Sequence, residues 1–211
     1  MLLVLLGLLM SCRGQTQETL PAPELTPEQA FEAFLLEQNE HFRDADESPL
    51  MESDRERFES LNYFPYDLSY RVKAVWTSTP EEKPFLMPTS TERTPRYVKA
   101  GYFSFQCEGQ TVQLSAYKNL ELPKGHPYRE MLFIPFNDLT NGEESYGGGR
   151  YLDVEEPSDS EQIELDLNLT YHPYCAYNYK YSCPIPPKEN VLNLAVYAGV
   201  KSGINGELPE H

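Results

Sequence analysis

From Ser69 onward the apolar residues recur at every second position, and that period restricts the chain to architectures built on a β-sheet. Tyr70, Val72, Ala74 and Trp76 alternate with Arg71, Lys73 and Thr77, as in a strand that buries one face. Within residues 97–107, Phe103, Phe105 and Cys107 share a face, Glu108-Gly109 can reverse the chain, and Val112, Leu114 and Ala116 alternate on the return. This spacing predicts a hairpin. Residues 131–136, 163–167 and 191–197 supply further strand signals, separated by residues 138–142, by Gly147-Gly148-Gly149 and by a Pro-rich loop. Fifteen Tyr and ten Phe add residues that suit a pleated, half-buried surface.

The N-terminal third reads differently. Thr26-Pro27-Glu28-Gln29 has capping-box spacing with Pro at the first helical position, and Phe31, Phe34, Leu35 and Phe42 follow a 3.6-residue repeat. A helix is expected over 27–42. Ser53-Asp54-Arg55-Glu56 repeats the capping signal ahead of Phe58 and Leu61, which predicts a second, shorter helix. The expected fold is mainly β with N-terminal helices, an antiparallel β-sandwich or barrel-like domain.

Residues 2–10 form an uncharged apolar run of nine, about half of the roughly 20 that a spanning helix requires. It reads as the core of a signal peptide over residues 1–11, ending at Leu9-Met10-Ser11-Cys12, which is similar to a bacterial lipobox. Cys12 is thus the expected lipidation site, and residues 12–25 a polar tether. Residues 26–211 are expected to form a single domain. Arg13, rather than Asp, follows the Cys. The expected address is the cell envelope, lipid-anchored at the outer membrane, with the membrane reached through Cys12 alone.

Seventeen Lys and Arg against thirty-three Asp and Glu give a net charge of −16, a field that repels polyphosphates and argues against nucleic-acid binding. No Walker loop, G-x-S-x-G elbow or H-E-x-x-H motif occurs. No cofactor and no metal site is expected.

At residues 136–140, 145–151 and 171–178, then through 183–190 to Ala198-Gly199, the chain resembles the DUF1684 family, as it does upstream at 48–50 and 61–65. The likeness spans roughly residues 30–201. It implies an uncharacterised bacterial protein, of a lipoprotein type frequent in Bacteroidetes-like bacteria, and leaves activity open. The chain departs from the family pattern at Ser145, at 166–168, at 169–173 and at Val200, where the family carries Glu. A carboxylate role at that last position is absent here.

Three features carry possible chemistry. In an exported chain Cys175 and Cys183 are the expected disulfide, leaving Cys107 alone. His172 stands beside the pair, but zinc would need a fourth ligand, and catalysis by Cys175 a correctly placed base. Gly148, Gly149, Arg150 and Tyr151, with Tyr146, could present N–H groups and a guanidinium to an anion. The same residues suit a bulged turn whose Arg150 pairs internally with Asp138, Asp153 or Asp166. Tyr171, Tyr177 and Asn178, with Asn190, have the composition of a groove for sugar rings, or equally of packed loop side chains. The leading expectation is a noncatalytic module binding a small polar ligand, glycan or partner. The alternative is an envelope hydrolase that uses Arg150 with Asp138, Asp166 or His172 as acid-base groups.

Overall fold

A computed structural model of the chain describes residues 25–158 and 161–207. The expected signal peptide, Cys12 and nearly all of the tether lie outside the described residues, so their expectations stand as such. Thr26 opens helix α1 (Pro27–Arg43): its hydroxyl accepts from the Gln29 N–H, while the Gln29 side chain accepts from the Thr26 N–H. The capping box is therefore formed as read. Phe31 and Phe42 are the buried members of its stripe. Phe31 packs on Tyr63 and Tyr66, and Phe42 on Phe58 and Tyr177.

Helix α2 spans Glu52–Glu56, one turn and a half, and begins after Met51 without a side-chain cap. The capping signal read at Ser53 therefore corresponds to no cap. No helix of the described residues is long and apolar enough to cross a membrane.

Among the described residues nine strands follow: β1 (Leu61–Tyr63), β2 (Arg71–Ser78), β3 (Phe85–Leu86), β4 (Arg96–Cys107), β5 (Gln110–Asn119), β6 (Met131–Phe136), β7 (Arg150–Glu155), β8 (Gln162–Asp166) and β9 (Val200–Ile204). The larger sheet runs in the order β7-β6-β5-β4-β2-β8, with β3 on β4, and curls into a half-barrel; β1 and β9 form a second, two-stranded sheet. All named pairings are antiparallel. The expected hairpin is present as β4–β5. Its turn residues Glu108 and Gly109 have φ of 49° and 72°, the left-handed pair that matches strand twist in a two-residue hairpin.

Residues 191–197 form no strand of either sheet. They run along the loop after β6, with Leu192 N–H donating to the Asn137 carbonyl and Leu139 N–H to the Leu194 carbonyl. Leu192, Leu194, Val196 and Ala198 are buried and join Trp76, Phe103, Leu114 and Ile134 in the main core. The period of two was a correct reading of burial; the backbone bonds go to a loop.

Candidate functional site

Arg150, the first residue of β7, has no exposed side-chain surface, and neither has its partner Asp138, 2.7 Å away. The guanidinium also donates to the carbonyls of Val196 and Ala198. The other oxygen of Asp138 accepts from Thr140 N–H, from Thr140 Oγ1 and from Val196 N–H. Burial pulls the Arg150 pKa down while Asp138 opposes that pull, and a guanidinium keeps its charge regardless. This cluster staples the β6–β7 loop to the 191–199 segment. Arg150 cannot reach a ligand, which corrects its reading as an anion-binding residue in favour of internal pairing.

Asn190 is also sealed. Its amide donates to the carbonyls of Ser115 and Pro135, and its oxygen accepts from Ser115 N–H. Strands β5 and β6 share only the register pair Tyr117 and Phe133, so the Asn190 side chain supplies the peptide-like link that the ladder lacks there. Tyr151 is buried, with its hydroxyl on the Pro184 carbonyl, and Asn178 folds a turn by accepting from Lys180 N–H. Asn190 and Tyr151 are therefore removed from the candidate binding set by burial, and Asn178 acts in the backbone of its own turn.

The glycines shape the loop. A Cβ on Gly149, at φ +93°, would lie 2.6 Å from the Phe136 carbonyl oxygen, and one on Gly148 would lie 2.3 Å from the Tyr146 ring. Their absence of side chain lets the loop fold back and the Tyr146 ring approach its backbone closely. Tyr151 and Tyr171 then exchange both backbone hydrogen bonds, bringing the 171–178 segment against the glycine loop. The next residue, His172, accepts the Tyr146 N–H on Nε2 at 3.1 Å. A backbone N–H only donates, so the His172 proton resides on Nδ1 and is directed at the Tyr177 hydroxyl, 3.3 Å away. That leaves the Tyr177 hydroxyl its own proton to donate. Burial, with the Arg150 charge adding to it, holds His172 neutral by lowering its pKa to about 3.

The two stretches thus meet, and they meet at a cleft of about 460 Å³. Tyr146, His172 and Tyr177 form one wall; Leu50, Asp54 and Arg57, around α2, and Ser202, Ile204 and Glu207, at β9, complete it. Burial, with Cys175 adding to it, pushes the Tyr146 phenol up to about 12, and burial raises Tyr177 well above the usual phenol range. Both are neutral hydroxyls at physiological pH. The α2 and β9 walls were missed in the sequence. Each is a short element from a distant part of the chain, and residues 200–204 carry Lys, Ser and Gly with no clear alternation.

Tyr171 points elsewhere, its hydroxyl donating to Asp153, whose carboxyl burial raises to about 6. Asp166 caps the turn at residues 167–169 by accepting from Asn168 N–H. The hydrolase set of Arg150, Asp138, Asp166 and His172 therefore does not converge on open space. Cys107, Cys175 and Cys183 are free thiols. The structure brings Cys175 and Cys183 into contact, with Cys175 N–H donating to Cys183 Sγ at 3.2 Å, and leaves the expected bridge unformed. Among the described residues no three His, Cys, Asp or Glu gather as a metal would require.

A family model described as a protein of unknown function, DUF1684, matches residues 56–201. The chain belongs to the DUF1684 family. Among solved structures, this DUF1684 chain is similar to an uncharacterized protein of Haloarcula marismortui determined by solution NMR. The likeness has a TM-score of 0.66 and 35% sequence identity, covering 83% of this chain and 94% of that one. No curated protein matches the chain.

Proposed function

We propose that this DUF1684 protein is a noncatalytic binding module that takes a small polar, ring-bearing ligand such as a sugar in the cleft beside Tyr146 and Tyr177. The observation that carries the reading is the convergence of two loop segments, some 25 residues apart, on one open cleft of about 460 Å³, within the usual range of roughly 300–1,000 Å³ for small-molecule sites. Tyr rings offer a face for stacking and hydroxyls for hydrogen bonding. The hydroxyls of Tyr146 and Ser202, both residues of the cleft wall, suit a ligand rich in hydrogen-bonding groups. Catalysis is disfavoured because the carboxylate and guanidinium that a hydrolase would use are occupied by the fold.

On the same reading the module works in the cell envelope, held at the outer membrane by lipid on Cys12, with residues 13–25 as its tether. Support for that comes from the apolar run and lipobox-like end alone.

A thermal-shift panel of monosaccharides, disaccharides and polar metabolites tests the binding reading. A ligand at 100 times its Kd stabilises by about 2.7 kcal/mol, which for a chain of this size raises Tm by roughly 5–10 °C. Tyr146→Ala should abolish that shift while leaving the unliganded Tm within a few degrees. A flat response across a broad panel refutes the reading. For the anchor, Cys12→Ala should move the protein from the membrane to the soluble fraction; unchanged membrane association refutes lipid tethering.

A further inference from the structure

Cys175 and Cys183 touch, the Cys175 N–H donating to Cys183 Sγ at 3.2 Å, yet their surroundings differ. Cys183 is buried, at 8% exposure, and receives the Cys175 N–H. Cys175 is half-buried, stands between cleft residues His172 and Ala176 in sequence, and has the Tyr146 hydroxyl 3.9 Å from its sulfur. Cys175 is the more exposed of two cysteines in contact, and it lies in the segment that lines the cleft. A thiol–disulfide exchange centre needs this arrangement, an accessible attacking thiol backed by a protected resolving one.

We propose that Cys175 and Cys183 form a redox-active dithiol that reduces small disulfides, with Cys175 attacking and Cys183 resolving. Cys175 thiolate attacks one sulfur of the substrate R–S–S–R, forming a protein mixed disulfide and releasing RS⁻. Cys183 then gives its proton to the first released RS⁻ and attacks the Cys175 sulfur of that mixed disulfide, releasing the second RS⁻, which takes its proton from water, and closing the Cys175–Cys183 bond. The protein is oxidised by two electrons and the substrate disulfide becomes two thiols. The electrostatics agree with this division of roles. The Cys183 thiol beside it, then Tyr146 and Ser90, lower the Cys175 thiol to about 6 against the opposing effect of burial, while the Cys175 neighbour and burial raise Cys183. Cys107 is a built-in comparison, buried on the core face of β4 with its thiol raised to about 11 by burial.

The test is to incubate the reduced full chain with glutathione disulfide, quench with an alkylating reagent and map each cysteine by peptide mass. In the unaltered protein Cys175 and Cys183 should end as an intramolecular disulfide. Cys183→Ser should trap a stable glutathione adduct on Cys175, at least tenfold faster than any on Cys107. Cys175→Ser should leave Cys183 unmodified. If Cys183→Ser folds poorly, Cys183→Ala repeats the trap with a smaller side chain, and circular dichroism verifies folding of both. The proposal is overturned if neither folded variant accumulates the Cys175 adduct, or if Cys183 reacts as fast in Cys175→Ser. It is equally overturned if dithiothreitol reduces the bridge only when the protein is unfolded, since the pair would then be a structural bond. None of these outcomes depends on whether the cleft holds a sugar.

Discussion

Arg150→Met tests whether the buried ion pair is a structural clamp. The substitution keeps an unbranched side chain of similar reach but removes the charge, leaving Asp138 without its cationic partner in a site with no exposed surface. It also strips a charged donor from the carbonyls of Val196 and Ala198. Breaking a buried pair by deleting one partner typically destabilises by about 3–5 kcal/mol. Three donors remain on one Asp138 oxygen, so the expected loss lies near the lower end, about 3 kcal/mol. Tm should accordingly fall by roughly 6–12 °C. Equilibrium urea denaturation at pH 7 reads the loss directly. Lys118→Met supplies the comparison: its pair with Glu156 is partly exposed, with side-chain accessibilities of 27% and 39%, and its loss should change stability by about 1 kcal/mol or less. If Arg150→Met changes stability no more than Lys118→Met does, the guanidinium is solvated and the clamp argument is wrong.

Two further outcomes follow from burial and from backbone geometry. His172 has its pKa lowered to about 3 by burial against about 6.5 when unfolded, so between those values the unfolded chain binds the extra proton. Its contribution to stability is therefore complete above pH 6.5 and is lost as pH falls, by about 2 kcal/mol at pH 5. Asp153, raised to about 6 by burial, acts in the opposite sense between about pH 4 and 6. In Asp153→Asn the stability–pH curve should steepen over that window, and an unchanged or shallower slope would contradict the assigned burial of both groups. Gly149→Ala meets the Phe136 carbonyl at 2.6 Å and a φ of +93°, whereas Gly125→Ala, at φ +84°, meets open space. Gly125→Ala should lose about 1 kcal/mol from backbone strain and Gly149→Ala clearly more, measured by the shift in denaturation midpoint; equal losses would mean the loop yields freely.

Local sequence was sufficient wherever the controlling interaction is local. The capping box at Thr26 and the β4–β5 hairpin with its Glu108-Gly109 turn were legible because each depends on residues a few positions apart. The alternation over 191–197 correctly marked which side chains are buried, but not what their backbone bonds to. Periodicity reports which face a side chain takes and says nothing about the hydrogen-bond partner. For the site, Tyr146, Tyr177, His172 and Cys175 were singled out from composition. Leu50 and Asp54, more than 90 positions before the loops they face, and Glu207, 30 positions after Tyr177, were not, because no local pattern links residues so far apart.

The sequence by itself determined the family, the sheet-dominated class, the helix at the N-terminal end and the stretches in which aromatic, Gly and Cys residues concentrate. Only the tertiary structure decided which polar residues are spent internally. Arg150 and Asn190 read like ligand-binding groups, and they become a clamp and a strand link because the curled sheet encloses them. A buried charge or amide must be satisfied by whatever surrounds it, and what surrounds it is set by chain segments that meet only after folding.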